Sequence, residues 1–155
     1  MNFDSAFLLV IGHEGGYVND KRDPGGETKF GISKRAYPNV DIKNLTIDQA
    51  KKIYLRDYWN MLQLDRLPDE IRFDLFDAAV NSGLTAAAKM LQRACKVQDD
   101  GLIGSRTVEA ANAINPQILD KRLSGYRLLY ICDIKTLPTF GKGWVRRVAN
   151  NLIED

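Results

Sequence analysis

The sequence has few of the residues that build metal or redox sites. It contains two cysteines and one histidine among 155 residues. Cys95 and Cys132 belong to stretches that read as helix and lack a CxxC pair or neighbouring histidines, so no metal site is expected. Reduced thiols are the ordinary state of a protein made in the cytoplasm, although a disulfide between the two stays open. No motif implies a cofactor.

A long hydrophobic run is also missing. The longest apolar stretch near the N-terminus runs from Ala6 to Ile11, whereas a bilayer-spanning helix needs about 20 residues. Asp4 precedes this stretch, and neither a basic segment nor a small-residue cleavage site accompanies it. The pattern therefore predicts no signal peptide and no stable membrane insertion.

An excess of charge of one sign is absent as well. The net charge is +2, from 22 basic and 20 acidic residues. Because a nucleic-acid-binding domain usually shows a basic surface and a recognition motif, no nucleic acid partner is expected. Residues 121–155 nevertheless hold 7 basic and 3 acidic residues. This excess fits either an ordinary solvated helix face or a surface that attracts an anionic polymer.

Helical patterns fill most of the chain. Its length suits one domain, and 45% of its residues are hydrophobic, as in soluble globular proteins. Apolar residues recur at helical spacing, which predicts a mainly α fold. The predicted helices are Phe3–Glu14, one from Thr46 through Tyr54, Asp69–Ser82, Thr85–Lys96, one from Ser105, one from Pro116 to about Lys135, and a last one around Trp144, Val148 and Leu152.

Glycine, proline and hydroxyl residues predict the ends of these helices. Gly15-Gly16 should end the first helix directly after Glu14. Helix starts are expected at side-chain caps, namely Thr46 (in a capping box with Gln49), Thr85 and Ser105. Leu137-Pro138 should break the chain between the last two helices.

The segment after the first helix differs from the rest. Residues 15–32 contain five glycines, one proline and several Asp and Asn residues, which predicts a long loop or a small β-hairpin. A loop of this length inside a compact domain is usually functional. Asp20 and Asp23 lie within it, and Thr28 adds a hydroxyl close to them in sequence.

Glu14 has the surroundings that a general acid needs. Hydrolysis of a glycosidic bond uses one protonated carboxyl group and commonly a second carboxylate. At the predicted helix C-terminus, exposed carbonyls and neighbouring apolar residues would disfavour the ionised form of Glu14 and raise its pKa. A raised pKa suits proton donation near neutral pH. The same pattern also fits a plain turn, so the residues alone leave both interpretations open.

A family resemblance favours catalysis. Residues 14–20 read EGGYVND and residues 23–32 read DPGGETKFGI. Together they resemble the signature of glycoside hydrolase family 108, N-acetylmuramidases of phage endolysins and related bacterial proteins. The resemblance implies a lysozyme-like fold with Glu14 as catalytic acid, assisted by Asp23 with Asp20 and Thr28. Lys21-Arg22 stand where the family often has a proline.

The spacing also resembles virus-type lysozymes, which carry Glu, eight residues, Asp, five residues and Thr. Here Glu14 and Asp23 are separated by eight residues, but Asp23 and Thr28 by four. The match to the virus-type spacing therefore includes Asp23, whereas Thr28 departs from it by one position.

Further along the chain, residues 76–83 (FDAAVNSG) are similar to a helix that lines the substrate cleft in this family. Asp77 and Asn81 are its polar members and are predicted to contact substrate, and Tyr17 is a candidate for stacking on a sugar. The alternatives are a helix-end cap for Asn81 and a hydrogen-bonded scaffold for Asp77. Trp59 and Trp144 are expected in the core.

Residues 91–112 resemble a segment described in such enzymes as a predicted peptidoglycan-binding region, with a turn at Asp100, Gly101, Gly104 and Thr107. The same turn is a plain connection between helices, which is the preferred interpretation for most of these residues. We expect a lysozyme-like catalytic region at 1–90 and a peptidoglycan-binding-like helical region at 91–155, packed into the same domain.

The resemblance implies an endolysin-type muramidase that hydrolyses the β-1,4 bond between N-acetylmuramic acid and N-acetylglucosamine. Its partner would be bacterial peptidoglycan, and it would act as a monomer without metal or cofactor. A lytic transglycosylase and a non-catalytic cell-wall-binding module are the alternatives. We expect synthesis in the host cytoplasm and action in the periplasm or cell wall after release by a holin.

Overall fold

The computed structural model describes residues 1–12, 16–19, 26–133 and 137–154. The helices are α1 (Phe3–Ile11), α2 (Ile47–Tyr54), α3 (Asp69–Ser82), α4 (Leu84–Cys95), α5 (Ser105–Ala113), α6 (Pro116–Asp133) and α7 (Leu137–Glu154). A π-helical turn covers Leu55–Trp59 and a 3-10 turn covers Leu64–Arg66. Strands β1 (Thr28–Lys29) and β2 (Ile32–Ser33) pair antiparallel. The mainly α fold with a small hairpin after the first helix is confirmed.

Helix α1 ends earlier than predicted. Its N-terminus is capped by Asn2, whose side chain accepts a hydrogen bond from the Ser5 amide at 3.0 Å. Its C-cap is Gly12, with φ of 60°, a conformation that glycine adopts without strain and that stops a right-handed helix. The prediction that Gly15-Gly16 ends this helix is therefore wrong.

Helix α2 begins at the predicted capping box. The Thr46 hydroxyl accepts from the Gln49 amide at 3.2 Å, and the Gln49 side chain accepts from the Thr46 amide at 2.9 Å. Two amides that lack partners inside the helix are thereby satisfied. The prediction is confirmed.

The caps predicted for α4 and α5 are wrong. Glycines occupy the N-cap positions, Gly83 before α4 and Gly104 before α5, without a side-chain cap. Thr85 and Ser105 lie within the first turn instead. Gly83, with φ of 88°, ends α3 and starts α4, so the chain turns between these helices at a single residue.

The last two helices begin at prolines or next to them. Helix α6 starts at Pro116 as predicted, and the Asn115 side chain accepts from the Ile118 amide at 3.2 Å. Helix α7 starts at Leu137, with Pro138 in the first turn, where a missing amide proton is tolerated. The predicted extension of α6 to Lys135 falls on residues outside those described.

The chain forms two compact units, residues 2–57 and residues 58–155 together with Met1. In the first unit, the Phe7 ring of α1 meets the Tyr54 ring of α2 edge-on at 5.5 Å. Buried Ile32, Ile42 and Ile53 complete this core. The hairpin, α1 and α2 therefore share one hydrophobic core.

The second unit is a helical assembly in which α3, α4 and α6 pack against one another and α7 packs on α6. The Trp59 ring is fully buried and meets the Phe76 ring edge-on at 5.5 Å, while its indole NH donates to Asp65 at 2.9 Å. The core position predicted for Trp59 is confirmed. The side chain of Trp144 lies outside those described.

Candidate active site

Three of the predicted catalytic residues, Glu14, Asp20 and Asp23, lie outside the described residues. Their roles stay predictions. The described parts that flank them are the end of α1 at Ile11 and Gly12 and the hairpin that begins at Thr28. Helix α1 ends at Ile11 with Gly12 as its C-cap, so in sequence Glu14 comes three positions after the last helical residue rather than at the helix end that was predicted.

Thr28, the fourth predicted catalytic residue, lies at the start of strand β1. Its backbone exchanges two hydrogen bonds with Val18, both at 2.8 Å, and it pairs with Ser33 across the hairpin. The half-buried side-chain hydroxyl donates to the Gly26 carbonyl at 3.4 Å. Thr28 is therefore held between two backbone segments, whereas its part in catalysis stays a prediction.

The hairpin turn is held by a hydrogen bond from helix α2. Phe30 and Gly31 form the turn with φ of 51° and 74°, as in a tight hairpin that favours glycine at its second position. The buried Tyr54 hydroxyl donates to the Phe30 carbonyl at 3.1 Å. A Cβ on Gly31 would lie 2.5 Å from the same hydroxyl oxygen. Position 31 therefore requires glycine for two reasons, because its φ is positive and because a side chain would collide with the Tyr54 hydroxyl.

The loop contains another carboxylate that sequence reasoning did not select. Glu27, next to Thr28, accepts a hydrogen bond from the Tyr17 hydroxyl at 3.0 Å. Desolvation has the largest effect on the pKa of Tyr17 and raises it, and the hydrogen bond to the Glu27 carboxylate raises it further. Tyr17 is 38% exposed, which leaves its ring accessible, and sugar stacking by Tyr17 stays a prediction. The sequence feature from which this contact could have been found is the glutamate of the GGET segment, residues 25–28.

Asp77 lies in a buried ion-pair network rather than on a surface. Its carboxylate accepts from Arg127 Nη2 at 2.6 Å and from Arg147 Nε at 2.7 Å. Arg127 also donates to Asp74 at 2.7 Å, and Asn151 donates to Asp74 at 2.6 Å. Both carboxylates are at most 2% exposed. This arrangement corresponds to the scaffold alternative for Asp77 and leaves its predicted substrate contact unsupported.

Asn81 lies one helical turn after Asp77. Its side-chain amide donates to the Asp77 carbonyl at 2.7 Å, and its side chain lines a cleft with Arg127 and Arg147. The cleft volume is about 20 Å³, enough for about one water molecule and too small for a sugar ring. A substrate contact by Asn81 stays a prediction.

The turn after α4 is organised by one buried side chain. Gln92 donates to the Asp100 carboxylate at 2.7 Å and to the Leu102 carbonyl at 2.9 Å, and it accepts from the Gly101 amide at 2.8 Å. Buried Thr107 lies 3.3 Å from the same amide nitrogen. These contacts support the structural interpretation of the Asp100–Thr107 turn, and sequence reasoning missed Gln92 because a glutamine inside a helix gives no local signal.

The described residues form neither a metal site nor a membrane-spanning helix. No group of three or more His, Cys, Asp or Glu side chains that could hold a metal ion occurs among the described residues. Within the same part of the chain, no helix has both the length and the apolar character needed to cross a bilayer.

Comparison with known proteins identifies the class. Residues 7–83 match the family model described as Glycosyl hydrolase 108, and residues 86–149 match one described as Predicted Peptidoglycan domain. The solved structure of SagA from Brucella abortus is similar at a TM-score of 0.86 and 36% identity, over 96% of this chain and 90% of that chain. The comparison with curated proteins gives no match.

The chain belongs to the glycosyl hydrolase 108 family. It is a glycoside hydrolase that acts on peptidoglycan, since the second matched segment belongs to a peptidoglycan domain. The match to the first family model spans Glu14, the loop and the hairpin, and extends through α3.

Proposed function

We propose that the protein is a muramidase that hydrolyses the β-1,4 bond between N-acetylmuramic acid and N-acetylglucosamine, with Glu14 as general acid. The observation that carries this proposal is the EGGYVND and DPGGETKFGI pair inside the segment matched by the glycosyl hydrolase 108 model. The described hairpin supports it, because Thr28 is held rigidly at the end of the loop that contains Asp20 and Asp23.

In this mechanism Glu14 donates its proton to the oxygen of the leaving sugar. Asp23, with Asp20 and Thr28, stabilises the developing positive charge on the other sugar or orients the attacking water. The backbone hydrogen bonds between Thr28 and Val18 would keep Thr28 in a constant position during the reaction. No step requires a cofactor.

The test is a Glu14→Gln variant, which keeps the size of the side chain but removes the acid. Release of reducing ends from purified peptidoglycan should fall by about 10²- to 10⁴-fold, the usual contribution of a general acid, while binding to insoluble peptidoglycan is kept. Glu109→Gln on the exposed face of α5 is the matched control and should keep full activity. Undiminished hydrolysis by Glu14→Gln would exclude this residue as the acid.

The product identifies the reaction. A muramidase adds water and leaves a reducing N-acetylmuramic acid end, whereas a lytic transglycosylase leaves an anhydro sugar that is lighter by one water. Mass spectrometry of the released fragments separates these two outcomes. Binding of peptidoglycan with no fragments at all would favour the non-catalytic module.

An endolysin role belongs to the same proposal. The enzyme would act as a monomer in the periplasm or cell wall after release through a holin. Expression of the chain in bacteria should cause lysis only when a holin is co-expressed. Lysis by the chain alone would contradict the proposed route.

A further inference from the structure

A second groove lies in the unit formed by residues 58–155, between α4 and α6. Its volume is about 370 Å³, within the range of about 300–1,000 Å³ that is typical of small-molecule sites. We propose that this groove binds the acidic stem peptide of peptidoglycan. The proposal deepens the proposed function and rests on peptidoglycan being the substrate.

Charge is the first argument. Lys89 and Arg93 line the groove, and residues spaced i and i+4 on a helix point to the same side. No acidic side chain is among the residues that line it. Arg93 is paired with Asp99 at 2.7 Å, whereas Lys89 forms no ion pair within the described part of the chain. Lys89 also acts electrostatically on Asp99 and Asp100, but no direct ion pair with a described residue holds its ammonium group, so that group can still bind an anion.

The chemistry of peptidoglycan determines which part fits. The lactyl carboxyl groups of the glycan strand are used in amide bonds to the peptides, so the free carboxylates of this polymer lie on the stem peptides. These peptides also present alanine methyl groups. A cationic groove with an apolar floor therefore matches the peptide better than the sugars.

The remaining lining residues provide that floor and further hydrogen bonds. Met90 is buried and Ala86 is half-buried, which gives an apolar surface of small area. The Tyr130 hydroxyl from α6 and the Thr85 hydroxyl from α4 can bond to peptide groups. The groove thus combines a few polar groups with an apolar base, as ligand sites usually do.

The Asp100–Thr107 turn holds the groove wall in place. A Cβ on Gly101 would lie 2.8 Å from Thr85 Cγ2 and 3.4 Å from Lys89 Cε. Gly101, which has φ of 82°, therefore lets the turn pack directly on these two side chains. Gln92 anchors the same turn from within α4. The groove is consequently prearranged by the segment that matches the peptidoglycan domain.

The test is calorimetric titration of the complete protein with a soluble disaccharide-tetrapeptide, in which the bond cleaved by a muramidase is absent. The peptide-free disaccharide and the free tetrapeptide are titrated in parallel. Lys89→Met, which keeps the stem of the side chain, should weaken binding of both peptide ligands by about tenfold, the effect of losing about 1.4 kcal/mol. Lys121→Met, a similar change at an exposed position of α6, should have no effect.

Equal binding of the peptide-free disaccharide, absent binding of both peptide ligands, or unchanged affinity in Lys89→Met would each overturn the proposal. Thermal unfolding of both variants verifies that they fold. Hydrolysis of peptide-free glycan strands by the unmodified protein is measured separately. Retained hydrolysis together with a negative titration would refute only the groove, whereas loss of hydrolysis would refute the proposed function.

Discussion

The two cysteines differ because of their surroundings. Cys95 is buried at the end of α4 and Cys132 is exposed on α6, and both are free thiols. Burial raises the pKa of Cys95 from 9.0 to about 11. Since a thiol reacts as the thiolate, accessibility and ionisation both make Cys95 the less reactive group.

We expect iodoacetamide at pH 8 to alkylate Cys132 in the folded protein and to leave Cys95 unmodified, as measured by peptide mass spectrometry. The folded state keeps the Cys95 proton to higher pH than the unfolded state. The contribution of this thiol to stability is therefore complete below about pH 9 and falls as the pH rises towards about 11. Cys95→Ala should remove this loss of stability at alkaline pH.

Rapid alkylation of Cys95 at pH 8 would contradict its burial in the folded protein.

At the scale of single elements, local hydrogen bonds determine where helices begin. The capping box at Thr46 uses residues three positions apart, so sequence alone could predict it. Thr85 and Ser105 are similar residues near helix starts, yet Gly83, two positions before Thr85, and Gly104, directly before Ser105, occupy the cap positions. The cap depends on backbone dihedral angles that a hydroxyl residue by itself does not specify.

Replacing Thr46 by Ala should lower the free energy of unfolding by about 1 kcal/mol, because it removes the side-chain acceptor at the start of α2. Ser105→Ala, at an exposed residue without a side-chain cap, is the matched control and should change stability by less than about 0.5 kcal/mol, the usual range for surface substitutions. Urea denaturation followed by circular dichroism measures both. A larger loss for Ser105→Ala than for Thr46→Ala would contradict the assignment of the caps.

At the scale of the whole molecule, the buried ion pairs join distant parts of the chain. Asp77 of α3 binds Arg127 of α6 and Arg147 of α7, which are 50 and 70 positions away. Burying charges is costly unless they are paired and hydrogen-bonded. The network therefore specifies how α6 and α7 lie against α3 within residues 58–155.

Asp77→Asn should lower the free energy of unfolding by about 3–5 kcal/mol, because Arg127 and Arg147 would lose a buried counter-charge. Asp99→Asn, which breaks the exposed pair with Arg93, should cost less than about 1 kcal/mol. Chemical denaturation measures both values. Equal effects of the two changes would contradict a structural role for the buried network. Because Asp77 is removed from the surface, the activity per folded molecule should change little.

The domain organisation also belongs to this scale. The expected regions 1–90 and 91–155 stay a prediction, whereas the compact units are 2–57 and 58–155 with Met1. The segment matched by the hydrolase model, 7–83, therefore continues into the second unit. Helix α3 is common to the matched hydrolase segment and to the helical core around α6.

The sequence by itself determined most helices, the Thr46 cap and the family, because each depends on neighbours within a few positions or on a contiguous motif. It left a long loop and a small hairpin as alternatives after the first helix, and the structure contains the hairpin. Only the tertiary structure decided that Asp77 meets two arginines, that Gln92 supports the Asp100–Thr107 turn, and that Lys89 faces a groove. These contacts join side chains far apart in the chain, and helical periodicity places a residue on a face without specifying its partner.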